Sequence, residues 1–231
     1  MGRPLWLVIA LAVTAALVAL AAHLYWKDTL GVRTKAAKVF PANYEKQDLT
    51  GRAFNGAWLP HANFKGANLR EAEFSDAVLR FADFRGADFT MAGVSDADFT
   101  NAIFDGATLN VARGHETAIY RNASFRNTDL TRRGFHGMSG RHNRSKSRHM
   151  MDPGAGGADM SGAVFDGATC QQTLFSRCNL AGASFRGSDC READFSHADL
   201  RDADFSNADL RGAKFDNANT AGTKFTNARL K

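Results

Sequence analysis

The sequence predicts an all-β solenoid preceded by a single transmembrane α-helix, and three observations carry that prediction. A large apolar residue returns at every fifth position from about Gln47 to the end of the chain. Two positions after most of these centres stands Gly, Asn or Asp, the residues that accept the backbone of a tight corner. Upstream, Leu5 to Trp26 is a run without a single Asp, Glu, Lys or Arg.

The five-residue beat is clearest from Ala193 to Gly212, where Phe195, Leu200, Phe205 and Leu210 are the centres. It runs from Leu49, Phe54 and Leu59 to Leu109, slips by one residue around His115-Glu116, and resumes at Tyr120, Phe125, Leu130 and Phe135. After a break it continues from Met160 to Leu230. In an α-helix successive centres would turn by about 140° and scatter around the cylinder. In a flat strand an odd spacing would send them to alternate faces. Only a chain that turns a corner after each unit points every centre inward, which is the pattern of a solenoid.

The remaining positions agree. Ala stands two residues before many centres (Ala62, Ala67, Ala72, Ala193, Ala198), small enough to share the interior with a large neighbour. Asp often precedes the centre (Asp83, Asp88, Asp194, Asp199) and Arg often follows it (Arg70, Arg85, Arg191, Arg201). These residues predict solvated outer faces with ion pairs between neighbouring sides or coils, each contributing at most about 1 kcal/mol. An interior filled by Phe, Leu and Ala leaves no ligand cavity of the usual kind.

The pattern A-[DN]-[LF]-x-x resembles the pentapeptide-repeat family over the chain from about Gln47 onward, apart from the break. The resemblance implies a right-handed quadrilateral parallel β-helix with four units per coil. A twenty-residue coil would stack Phe165, Phe185, Phe205 and Phe225 in one column and Phe175, Phe195 and Phe215 in the opposite one. About eight coils at the inter-strand spacing give a rod of about 38 Å. The resemblance also brings an alternative function, since well-understood members mimic DNA and protect gyrase from quinolones. Those members carry a strongly acidic surface and a C-terminal helix. Here the repeat body holds 19 basic and 21 acidic residues and ends at Leu230-Lys231, and a membrane segment is added.

Charge is concentrated elsewhere. Of the net +5, Met1–Lys46 supplies six basic against two acidic residues, and His136–Gly157 four against one. The segments follow in order: a short tail over 1–4, a transmembrane helix over 5–26, a basic linker over 27–46, repeats over 47–135, a basic loop over 136–157, and repeats over 158–231. The twenty-two residues of the helix span about 33 Å, enough for a hydrocarbon core. Trp6, Tyr25 and Trp26 suit its two interfaces. A cleaved signal peptide, ending at Ala19-Leu20-Ala21, is the competing reading. The apolar run continues past that site, which favours the anchor. Lys27, Arg33, Lys35 and Lys38 are candidate contacts to lipid headgroups, and they direct the repeat toward the cytoplasmic side of a bacterial inner membrane. A periplasmic or secreted repeat is the alternative.

The break from His136 to Gly157 has no apolar period and predicts a loop thrown out from the rod. Its Arg141, Arg144, Lys146 and Arg148 are candidates for an anionic partner, against the plainer reading of a solvated tether. His136, His142 and His149 lack metal-ligand spacing. Three cysteines exclude a full disulfide framework. Cys170 and Cys190 fall at centres and Cys178 in an Ala slot, so all three read as apolar filler. Gly114 falls where a centre belongs, which predicts one poorly filled coil. No catalytic triad, phosphate loop or zinc pattern is present, so the expected function is non-enzymatic and needs no cofactor. The chain is expected to be a membrane-tethered scaffold for an unidentified protein partner, with nucleic acid disfavoured and end-to-end homodimers possible through an uncapped last coil.

Overall fold

The computed structural model describes residues 42–109, 114–115, 117–135 and 157–231. The chain divides into Met1–Pro41 and a second unit, Ala42–Lys231, and everything below concerns the second. The expected membrane helix, with Lys27, Arg33, Lys35 and Lys38, lies outside the described residues, as do Arg141, Arg144, Lys146 and Arg148. Among the described residues no helix is long and apolar enough to cross a membrane.

Each five-residue unit contributes one parallel bridge at the residue before its centre, and bridged residues are twenty apart: Asn43 to Asn63, Asn63 to Asp83, Asp83 to Ile103. Four units therefore make one coil. The β-structure consists of isolated bridges, with corners too closely spaced for longer strands. Backbone accounting explains why this is stable. The N–H of a centre donates to the coil ahead (Phe64 to the Asp83 carbonyl, 2.8 Å), and the N–H before it to the coil behind (Asp83 to Ala62, 2.9 Å). Within the corner, Gly66 donates to Arg85 (2.8 Å) and Ala67 to Phe64 (3.0 Å). One N–H in five is left, that of the residue after the centre. It donates to the side-chain oxygen of the Asp or Asn before the centre: Arg85 to Asp83 Oδ1 (3.1 Å), Ser196 to Asp194 Oδ1 (2.9 Å). The recurring Asp is thus a corner-building residue, since buried or crowded backbone donors need partners.

The centres form four columns. Side 1 carries Phe165, Phe185, Phe205 and Phe225, with ring centroids 4.5, 4.6 and 5.6 Å apart along the stack. Side 3 carries Phe175, Phe195 and Phe215, each 5.2 Å from the next. The two columns meet edge to face across the interior, as Phe185 does with Phe195 at 88°, an arrangement aromatic quadrupoles favour. Side 2 holds Leu49, Leu69, Phe89, Leu109, Leu130, Cys170, Cys190 and Leu210, and side 4 holds Leu79, Phe99, Tyr120, Met160, Leu180 and Leu200, all buried. The three cysteines are free and buried, and burial pushes the Cys170 and Cys178 thiols up.

Three departures from expectation stand out. The rod begins one unit early, at Ala42-Asn43-Tyr44, where Tyr44 stacks on Phe64 at 4.7 Å. Tyr in place of Leu or Phe, just after Pro41, conceals that unit in the sequence. The slip widens one bridge spacing to twenty-one, Asp98 to Ile119, yet no centre is lost, because His115 supplies it. The break widens the spacing to forty, Gly134 to Leu174. Across it the Ala158 N–H donates to the Phe135 carbonyl at 3.0 Å, the same bond that closes every ordinary corner. The loop therefore replaces a two-residue corner between sides 3 and 4 and leaves the coil in register.

Candidate interaction surface

The outer faces are not alike. Arg–Asp pairs between described residues lie on side 1 (Arg85–Asp83, Arg186–Asp204), side 2 (Arg70–Asp88, Arg191–Asp189, Arg211–Asp209) and side 4 (Arg80–Asp98, Arg121–Asp159, Arg201–Asp199). Partners share one side, either in the same unit or one coil apart. They do not link neighbouring sides, because the Arg after a centre and the Asp before it project from the same face. Pairing and hydroxyl bonds hold the carboxyls low: Asp204, bonded by Ser206 and Arg186, and Asp209, bonded by Arg211, lie at about 2.

Side 3 is built from smaller and less charged groups. Before its centres stand Ala53, Glu73, Gly93, Gly134, Leu174, Asp194 and Lys214, and after them Asn55, Ser75, Ser95, Ser176 and Ser196. Leu174, beside Gly134 in the ladder, is 37% exposed. A face of short side chains brings backbone and partner close together, and an exposed leucine on it is an apolar anchor.

Both breaks in the repeat fall on this side, one coil apart. At the slip, Gly114 presses on the preceding coil: a Cβ there would meet Ser95 Oγ at 2.1 Å, and its φ is +83°. The next residue, His115, turns into the core. Its ring lies 4.9 Å from Phe135 in the same column, and Nδ1 lies 2.5 Å from the Tyr120 hydroxyl. Nε2 is buried without a hydrogen-bond partner among the described residues. Burial, reinforced by the charge of Arg133, pushes the His115 imidazole down to about 4. Arg133 occupies a slot that holds Ala72, Ala92 and Ala193 elsewhere on side 3, and it directly precedes the coil edge from which the loop departs. The expected poorly filled coil is thus corrected, with the imidazole replacing the missing apolar centre. The sequence signal for this convergence is the twenty-residue separation of His115 and Phe135. The neutrality of side 3 and the exposure of Leu174 become readable only once coils of four units are assigned.

The profile of the pentapeptide repeats, in eight copies, matches residues 48–86, 155–180, 173–212 and 203–231, about half of the chain. The chain belongs to the pentapeptide-repeat family. No curated protein matches the sequence. Among solved structures, this pentapeptide-repeat protein is similar to HetL, a pentapeptide repeat protein involved in heterocyst differentiation regulation from the cyanobacterium Nostoc sp. strain PCC 7120. The two are 22% identical over 80% of this chain and 81% of HetL, with a TM-score of 0.39. It is also similar to QnrB1, a plasmid-mediated fluoroquinolone resistance protein, at 20% identity over 83% of this chain and 90% of QnrB1, with a TM-score of 0.36.

Proposed function

We propose that this pentapeptide-repeat protein is a non-enzymatic scaffold, tethered to a membrane by residues 5–26, that presents side 3 and the loop at its edge to a protein partner. The observation that carries the reading is the convergence of the slip, Arg133 and the loop on the side built of small, weakly charged groups. A column-filled interior supports it, because recognition is left to outer surfaces. Lys27, Arg33, Lys35 and Lys38 would hold anionic headgroups in this arrangement, and Arg141, Arg144, Lys146 and Arg148 an acidic patch on the partner.

The gyrase-protecting alternative receives less support from the surface. Asp83, Asp189, Asp199 and Asp209 are each bonded to an Arg of the same unit, so charge alternates where a DNA mimic needs an unbroken negative stripe.

The test is site-specific photocrosslinking in membranes from the native host, with a photoreactive residue at position 174 on side 3 or 189 on side 2. One protein captured from 174 and not from 189 supports the reading. Equal labelling from both positions sinks it. Gyrase protection in a supercoiling assay would sink it as well.

A further inference from the structure

Side 4 and the corner leading to side 1 carry an aromatic cluster that the proposed partner surface does not use. Trp58 is 41% exposed and Phe81 51% exposed. The His61 ring stacks on Phe81 with centroids 4.9 Å apart and planes 6° apart. All three stand in columns that are otherwise mainly short or polar. The corner column runs His61, Phe81, Asn101, Asn122, Gly162, Gly182, and the bridge column passes from Trp58 through Val78 to Asp98. The exposed aromatics of this corner are therefore confined to the first two coils.

Phe81 is held at φ 60°, a backbone region that suits Gly or Asn and is unfavourable for a bulky side chain. Its ring stands outside the core, so the fold draws no interior packing from it. Arg80 precedes it in the same corner, paired with Asp98 at 2.6 Å. Exposed indole and phenyl rings beside a guanidinium form the combination that settles at the boundary between headgroups and acyl chains.

We propose that these two coils rest on a lipid surface, with Trp58 and Phe81 as the inserting rings and His61 as the stacking support. The inference rests on the membrane tether proposed above. Fifteen residues, Lys27 to Pro41, separate that segment from the first coil, and fully extended they reach about 50 Å at most. The early coils are thus kept within reach of the bilayer. A lipid surface would then take the cluster at the anchored end, leaving side 3 to the protein partner.

The experiment uses the full chain with Trp6→Phe and Trp26→Phe, which leaves Trp58 as the only indole. It is reconstituted in phosphatidylcholine vesicles containing phosphatidylglycerol, with and without brominated acyl chains. Trp58 fluorescence is expected to shift to the blue and to be quenched at least twofold by bromolipid. Phe81→Ser is expected to remove at least half of that quenching. Retention of the protein after an alkaline wash reports the anchor separately. Retention with unquenched Trp58 overturns the lipid surface and leaves the tether standing, and a protein crosslinked at position 58 under those conditions does the same. Loss in the wash with Trp58 quenched beforehand removes the tether and upholds the surface. Loss with Trp58 unquenched overturns both.

Discussion

The imidazole of His115 and the hydroxyl of Tyr120 share a hydrogen bond inside an otherwise apolar stack of rings. His115 stands in the column that Phe135 and Phe175 continue, so a titratable group occupies the position of a phenylalanine.

That placement gives the fold an acid-sensitive coil. The folded imidazole lies at about 4, below the ordinary 6.5, so the unfolded chain binds the proton more readily. The stability that comes from the neutral ring is complete above pH 6.5. It declines as pH falls toward 4, by about 3 kcal/mol in total. Asp204 and Asp209, at about 2, release their contribution only at lower pH, between about 4 and 2. Urea midpoints measured at pH 7 and pH 4.5 are expected to differ strongly in the native protein. In His115→Phe the part of that difference arising from the imidazole should vanish, and an unchanged pH dependence would contradict the assignment.

The loop is expected to be dispensable for folding. Ala158 donates to Phe135 as any corner residue does, so replacing residues 136–157 by Ser-Asn restores an ordinary corner. Closing two residues in place of twenty-two lowers the entropy cost by about 2 kcal/mol. The shortened protein should show a thermal midpoint equal to or above that of the native chain. A cooperative unfolding transition lost on shortening would show that the loop supports the rod.

Asp199 separates two roles of the recurring carboxylate. Its Oδ1 accepts the Arg201 N–H at 3.2 Å, and its carboxylate pairs with the Arg201 guanidinium at 2.6 Å. Asp199→Asn keeps the first bond and loses the second, and should cost at most about 0.5 kcal/mol because exposed pairs contribute little. Asp199→Ala strands the N–H and should cost about 1 kcal/mol. Equal losses for the two variants in chemical denaturation would assign the role to charge.

Phe195 tests the columns. It stacks between Phe175 and Phe215 and meets Phe185 and Phe205 edge-on. Phe195→Ala should destabilise by about 3–5 kcal/mol through lost transfer energy and a cavity that rigid coils cannot close. Phe195→Leu should cost less than half as much, and equal costs would mean the coils collapse around the vacancy.

Much of this was legible in the residue order. The spacing of Phe195, Leu200, Phe205 and Leu210 requires a corner every five residues, and Ala and Gly in fixed slots say which way each unit faces. Local sterics decide such things, so a local pattern records them. The columns of Phe165 and Phe175 also followed once the coil was taken as twenty residues. The first unit escaped notice because Tyr44 breaks the Leu/Phe alternation, and the Asp ladder was read as solvated charge because its backbone partner lies around a corner.

The candidate surface depended on the coil. Which side holds ion pairs, which holds Gly134 and Leu174, and where His115 meets Phe135 are relations between residues twenty or forty apart, and stacking creates them. The sequence by itself determined that the chain must turn at each unit and bury its centres. Only the tertiary structure decided that an extra residue at the slip would rotate His115 into the vacant place, because that choice depends on the space left between Val94 and Phe135. It likewise placed slip and loop on a single side, since twenty residues return the chain to the same face.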